Sequence, residues 1–238
     1  MRDEIFKNKG DISKFVFDKE VAEVFDDMVI RSVPGYMQMI ELIGLISRRY
    51  VSENSNVYDL GCSTGAATIA VAANIKAKGV KIFAIDNSIS MLDSCKKNLK
   101  NNKSDVRFIE SDINSIEFKN ASLVILNLTL QFIETSKRLN LIKKIFHGLI
   151  PGGALIVSEK IIHNEPKIDE HLSSLQSFFK LENGYSKSEI SRKRKAIENI
   201  LVPETSQKNI YRLTQAGFEN TTTILQCLNF ASFLSIKQ

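Results

Sequence analysis

Apolar positions in the first fifty residues recur at helical spacing. In VAEVFDDMVIRS, Val21, Val24, Phe25, Met28 and Val29 fall on one helical face. MQMIELIGLISRRY repeats the pattern with Met37, Ile40, Leu42, Ile43, Leu45 and Ile46. Asp18 is placed to cap the first of these helices, and Pro34-Gly35 ends it. At Asn56 the period shortens. NVYDLG, KIFAIDN, VRFIESD, SLVILNL and ALIVSEKII read as short buried strands, the last following a break at Pro151-Gly152-Gly153. Between them, TGAATIAVAANIKA, SISMLDSCKKNLKNN and TSKRLNLIKKIFHGL read as helices. Strands alternating with helices of about 10–15 residues predict βαβ units and a parallel sheet. Right-handed crossovers then make this a Rossmann-like, doubly wound α/β fold.

Beyond Ile162 the pattern is helical over roughly 168–182, 186–201 and 206–216. TTILQCLNF and ASFLSIKQ then follow with little between them, which predicts a terminal hairpin with one strand antiparallel to the rest. The expected layout is one domain: an N-terminal helical cap (1–52), a Rossmann-like core (53–162), a helical insertion (163–217) and the terminal strand hairpin (218–238). A length of 238 residues with 43% hydrophobic content suits a single core of this kind.

Charge and cysteine content narrow the partners. Lys plus Arg total 32 against 27 for Asp plus Glu, a surplus of five that an ordinary solvated surface accommodates. The three cysteines, Cys62, Cys95 and Cys227, are far apart and form no Cys-x-x-Cys pair, so neither zinc nor a disulfide framework is expected. No apolar run is long enough for a membrane span, and the amino terminus lacks the apolar stretch of a signal peptide. The expectation is a cytoplasmic protein without metal, acting on small molecules and without direct nucleic-acid binding.

The candidate chemistry lies at the strand ends, where doubly wound folds bind ligands. The first βα junction is Asp59-Leu60-Gly61-Cys62-Ser63-Thr64-Gly65. Gly61 permits a sharp turn, Gly65 lets helix approach strand, and the loop N–H groups face a ligand. Asp86 ends KIFAIDN, about 20 residues or slightly more beyond that loop, where an acid accepts both hydroxyls of a ribose. Asp112 closes the next strand and suits an adenine amino group. The loop reads D-x-G-x-S-x-G and not G-x-G-x-x-G, which favours S-adenosylmethionine (SAM) over a nicotinamide cofactor. The reaction is less evident. Asn127-Leu128-Thr129-Leu130 lacks the Asn/Asp-Pro-Pro-aromatic signature of amine methyltransferases, no Pro-Cys nucleophile is present, and His147, His163 and His171 lie away from the strand ends.

Several stretches together are more specific than any SAM motif. FDKEVAEVFDDMVIRSVPGY (17–36), DLGCSTGAAT, AIDNS, VILNLTLQF, LIPGGALIVSEK, NGYSKSEISRKR and QAGFE resemble the carboxy-S-adenosyl-L-methionine synthase family along nearly the whole chain. The resemblance implies transfer of the prephenate carboxylate to the SAM methyl carbon, giving carboxy-SAM and phenylpyruvate. A separate enzyme would use the product on wobble uridine of tRNA. It further implies a homodimer and a ligand set. Tyr36 contacts the ligand, Gly61, Cys62 and Ser63 hold its methionyl part, and Asp86 with Asn87 holds the ribose. Asp112 and Ile113 flank the adenine, Asn127 lies near the sulfonium, and Arg194 grips the added carboxylate. Arg31 is a further candidate for meeting prephenate. Read without the resemblance, KSEISRKRKAIEN is equally a solvated basic helix face, and an ordinary SAM methyltransferase or a non-catalytic SAM-binding protein stays open.

If Asp86 accepts the ribose hydroxyls, Asp86→Ala removes charge-assisted hydrogen bonds worth about 1.5–3 kcal/mol, roughly a tenfold to hundredfold loss in SAM affinity. Calorimetric titration of folded variant protein checks this, and unchanged affinity refutes the assignment.

Overall fold

The computed structural model describes residues 1–8 and 15–238, so residues 9–14 of the expected cap lie outside the described residues. The central strands are β1 (Asn56–Leu60), β2 (Lys81–Asp86), β3 (Asp105–Glu110), β4 (Ala121–Asn127) and β5 (Leu149–Ile162). A short β6 (Glu204–Thr205) and the hairpin β7 (Asn220–Cys227) and β8 (Phe230–Ile236) follow. The sheet order is β3-β2-β1-β4-β5-β8-β7, with β6 beside the end of β5. Strands β1 to β5 run parallel, and β8 is antiparallel to both β5 and β7. The chain winds outward from β1 to β3 and then returns to β4, so the direction of winding reverses between β1 and β4.

Strand alternation sorts the core into two layers. Leu123 and Ile125 of β4, with Ala154 and Ile156 of β5, meet Ile43 and Ile46 of α3 (Tyr36–Tyr50) and Ala67 and Val71 of α4 (Ala66–Asn74). Val124, Leu126, Leu155 and Val157 point the other way, onto Leu141, Ile142 and Ile145 of α6 (Thr135–Gly148) and Leu213 of α9 (Ser206–Gln215). Because both faces are covered, β4 is buried at every position but its last, which is why it reads as an unbroken apolar run. On β2, Ala84 packs against Leu92 and Cys95 of α5 (Ile89–Asn98).

A third cluster lies away from the sheet. Phe6 of α1 (Ile5–Asn8), then Phe15, and Val21, Val24 and Met28 of α2 (Lys19–Ser32) pack with Ala196 of α8 (Lys187–Ile197) and with Met91. The N-terminal helices and the late helical segment therefore share one core. Helix α7 (Pro166–Glu182) packs on α2 and α8. Caps set the starts: Asp18 accepts the Val21 N–H at 3.0 Å, and Ser186 with Glu189 forms a reciprocal capping box.

Some boundaries differ from the sequence expectation for reasons outside the local pattern. Pro151-Gly152-Gly153 belongs to β5, because Gly152 donates to the Lys237 carbonyl at 2.7 Å and Lys237 donates back to Gly153 at 2.9 Å. Helix α7 begins at Pro166, a residue suited to the first helical position. Helix α8 stops at Ile197 and not near 201. The chain is then drawn into β6, with Val202 donating to the Gln131 carbonyl at 2.9 Å.

That connection is held by buried charge. Arg138, 2% exposed, pairs with Glu204 at 2.6 Å and donates to the carbonyls of Ile133 and Val202 at 2.8 and 2.9 Å. Arg212 pairs with the same carboxylate. Burial works to raise the Glu204 pKa, but Lys208, Arg212 and Arg138 together carry it below its ordinary 4.5. Arg138→Met leaves Glu204 and several carbonyls short of a donor and is expected to lower stability by about 3–5 kcal/mol in urea unfolding. A depressed folded pKa means this contribution is present above pH 4.5 and is lost as acid titrates Glu204. The gap between variant and wild type should therefore narrow below that pH.

Candidate functional site

The loop after β1 is shaped by two glycines. Gly61 has φ +73°, and a Cβ there would lie 2.6 Å from Thr129 Cγ2, so the turn excludes any side chain. At Gly65, φ is +93° and a Cβ would meet Cys95 Sγ at 2.6 Å, which lets α4 and α5 approach. Ser63, standing where a third glycine is common, takes the same left-handed region at φ +51°. Its N–H donates to Asp86 Oδ2 at 2.9 Å, and the Ser88 N–H donates to Oδ1 at 2.9 Å. The N-terminal segment is fastened to these loops: Thr64 Oγ1 donates to Asp26 Oδ1 and Ser88 Oγ to the Phe17 carbonyl, each at 2.6 Å.

These loops open on a cavity of about 350 Å³, within the range of small-molecule sites. Around it stand Tyr36 at the start of α3, Gly61, Cys62 and Ser63 after β1, and Asp86 and Asn87 after β2. Asp112 and Ile113 follow β3, Asn127 ends β4, and Arg194 comes from α8. Every position of the SAM and carboxy-SAM ligand set implied by the resemblance thus borders one space, whereas Arg31, the candidate for prephenate, does not. Phe17, Phe25, Met28 and Phe132 supply an apolar wall, with Phe17 and Phe132 edge to face at 5.4 Å between centroids.

The floor is acidic. Burial pushes Asp59 up to about 6, aided by the charge of Asp86, while its bond from Thr68 Oγ1 at 2.6 Å opposes the shift. Burial also raises Asp86, against the N–H groups of Ser88, Ser63 and Asn87. Outside the cavity lining, Glu159 accepts the N–H groups of Leu130 and Gln131, both at 2.8 Å, and burial carries it to about 8. Asp112 caps the short turn Ile113–Ser115 by accepting the Asn114 N–H at 2.8 Å and remains exposed. Among the described residues Asn127 Oδ1 is buried and has no hydrogen-bond partner. Hydrogen bonding to Cys95 and then burial raise the Cys62 thiol well above its ordinary value, so it is a space-filling group and no nucleophile at neutral pH.

Arg31 is placed elsewhere. Its guanidinium pairs with Asp27 at 2.9 Å, donates to the Asn183 carbonyl at 2.7 Å and lies 4.0 Å over the Tyr185 ring. It braces α2 against the segment after α7 and does not border the cavity. None of the three histidines borders it either. The sequence reading missed three lysines that do: Lys160 on β5, Lys180 in the last turn of α7 and Lys193 on α8. A lysine closing the apolar strand ALIVSEKII was the one available signal. Arg194 is exposed as well as bordering the cavity. Among the described residues no group of His, Cys, Asp and Glu gathers as a metal site, and no single helix is long and apolar enough to cross a membrane.

Comparison with known proteins places this geometry. A methyltransferase-domain profile matches residues 57–153. A putative S-adenosyl-L-methionine-dependent methyltransferase from Methanococcus maripaludis superposes with TM-score 0.62 at 19% identity, covering 97% of this chain and 98% of that one. A putative O-methyltransferase from Nostoc punctiforme gives TM-score 0.64 at 18% identity over 92% of this chain and 59% of its own. At such identities these show the fold, a Rossmann-like methyltransferase fold with antiparallel C-terminal strands. Closer relatives go further. A protein of Ruthia magnifica named carboxy-S-adenosyl-L-methionine synthase is 46% identical over 100% of both chains. One of the same name from Colwellia psychrerythraea is 47% identical over 95% of this chain and 93% of its own. With that identity along its full length, the chain belongs to the carboxy-S-adenosyl-L-methionine synthase family.

Proposed function

We propose that the protein converts SAM and prephenate to carboxy-SAM and phenylpyruvate, the carboxy-SAM being destined for wobble-uridine modification in tRNA by another enzyme. The observation that carries this reading is a single cavity bordered both by SAM-type loops and by a guanidinium, Arg194, for which plain methyl transfer has no use. In the reaction the bond from the prephenate ring to its carboxylate breaks and a bond from that carboxyl carbon to the SAM methyl carbon forms. The methyl group gives up one proton, and the ring hydroxyl leaves with it as water while the ring becomes aromatic.

The residues divide by charge. Asp86 is assigned the ribose hydroxyls, and Asp112 with Ile113 the adenine. Loop Gly61–Ser63 is assigned the methionyl part, and Asn127 the neighbourhood of the sulfonium. Asp59 and Asp86 give the floor a negative potential suited to a cofactor bearing a sulfonium and an ammonium. Burial, with Asp26 and Asp59 nearby, raises the Tyr36 phenol, so Tyr36 keeps its proton and acts as a donor. Arg194 presents a planar, permanently charged fork that matches a carboxylate with two hydrogen bonds.

Purified protein given SAM and prephenate should form phenylpyruvate and a SAM derivative heavier by the mass of carbon dioxide, read by mass spectrometry. S-adenosylhomocysteine as the main product, with a methylated acceptor, would indicate an ordinary methyltransferase instead. A second expectation separates the roles of Arg194. Arg194→Ala should weaken carboxy-SAM binding by about 1.5–3 kcal/mol, roughly tenfold to hundredfold, and leave SAM binding little changed. Arg194→Lys, keeping charge without the fork, should fall between. Equal effects on both ligands, or none on either, would remove the carboxylate role.

A further inference from the structure

The three lysines found only in the structure lie beside Arg194, and among the described residues none of them forms an ion pair with a carboxylate. They come from separate elements, Lys160 from β5, Lys180 from α7 and Lys193 from α8, and all three border the cavity. Among the described residues no carboxylate oxygen lies within ion-pair distance of Lys160, Lys180, Lys193 or Arg194. The acid adjacent in sequence, Glu159, points to the opposite side of β5 and has both oxygens occupied by the Leu130 and Gln131 N–H groups. Asp169 acts on Lys160 only at longer range and accepts the His163 N–H at 2.9 Å.

Lys193 is partly satisfied. It donates to Ser32 Oγ at 3.1 Å, lies 5.7 Å from the Tyr185 ring centroid and feels the charges of Asp3 and Asp27. Among the described residues Lys160 has only the longer-range charge of Asp169, and no acid is felt by Lys180. Burial, then the positive charge of Arg194, lowers Lys160, while burial, then Lys160 and Arg194, lowers Lys180 to about 8. Lys180 also stands at a helix carboxyl end, where a cation gains from the helix dipole. A solvated terminal lysine, however, would carry no burial penalty. Half-buried like charges that meet no carboxylate destabilise the empty protein and are offset when an anion enters.

We propose that Lys160 and Lys180 form a subsite for the retained carboxylate of a dicarboxylate co-substrate, while neighbouring Arg194 takes the carboxylate that moves. The site deepens the proposed function and rests on it for the identity of the dianion. Prephenate carries two carboxylates, and phenylpyruvate keeps the one assigned to the lysines. The acidic floor then serves the cationic cofactor and the basic wall serves the anionic substrate, so each reactant meets the opposite charge.

The test uses the full chain with Lys160→Met, Lys180→Met and Lys180→Arg. Each Met variant is expected to raise the prephenate KM by about tenfold to hundredfold, more than it lowers kcat, with carboxy-SAM affinity unchanged and Lys180→Arg recovering most of the loss. Calorimetric titration of SAM-saturated protein with phenylpyruvate should show the same loss in the lysine variants but not in Arg194→Ala. Without ligand, Lys180→Met should melt no lower than wild type, since a repulsive charge is gone. Unchanged prephenate KM and phenylpyruvate affinity in the lysine variants would overturn the subsite, as would parallel loss of carboxy-SAM binding. If wild type binds prephenate in a lysine-dependent way yet forms no carboxy-SAM, the subsite stands and the proposed reaction falls. If wild type binds neither prephenate nor phenylpyruvate, the subsite falls as well.

Discussion

The Asp86 carboxylate accepts the Ser63 N–H on one oxygen and the Ser88 N–H on the other, so the loop after β1 and the cap of α5 hang from one side chain. Much else at the carboxyl end of the sheet follows from this. Ser63 is held in a left-handed conformation, Gly61 turns against Thr129, and Ser88 is positioned to reach the Phe17 carbonyl. The N-terminal segment is thereby fixed over the cavity. Asp86 is also the acid assigned to the ribose, so ligand binding adds partners to a group whose orientation is already set. A preorganised carboxylate of this kind binds without a large ordering cost.

Charge is partitioned around that clamp. Asp59 and Asp86 sit at the carboxyl ends of β1 and β2, each engaged by a hydroxyl or backbone N–H. Lys160, Lys180, Lys193 and Arg194 come from β5 and from the helices that follow. The two groups do not cancel by ion pairing across the cavity. In a site walled by Phe17, Phe25, Met28 and Phe132, opposite potentials at short range are weakly screened and can hold a cation and an anion together. The same separation makes the empty cavity expensive in electrostatic terms, a common feature of sites built for ligands.

The helical segment that carries Lys180, Lys193 and Arg194 needs its own anchorage. The N-terminal cluster around Phe6, Phe15 and Met28 takes up Ala196 of α8, while Arg138 and Arg212 grip Glu204 where the chain re-enters the sheet. Arg31, set over Tyr185 and bonded to Asn183, ties α2 to the turn between α7 and α8. Sequence-distant residues thus fix the positions of α7 and α8, and with them the basic wall.

The sequence alone determined the order of the main strands and helices, though neither α1 nor β6, because burial on both faces leaves uninterrupted apolar runs such as SLVILNL and because capping residues such as Asp18 act locally. It also marked Gly61, Asp86 and Asp112, at strand ends that can be counted from the pattern, whereas Asn127 entered only through the family resemblance. The tertiary structure decided what the pattern does not encode. Pro151-Gly152-Gly153 is strand because Lys237, far along the chain, bonds to it. Arg31 and Arg194 look alike as basic residues on amphipathic helices, yet one meets Asp27 and Tyr185 and the other borders the cavity. Lys160, Lys180 and Lys193 read singly as solvated charges, and only packing of α7 and α8 against β5 makes them one wall. Periodicity reports the face a residue occupies along its own element, whereas charge pairing depends on which elements meet, and that is set by the whole fold.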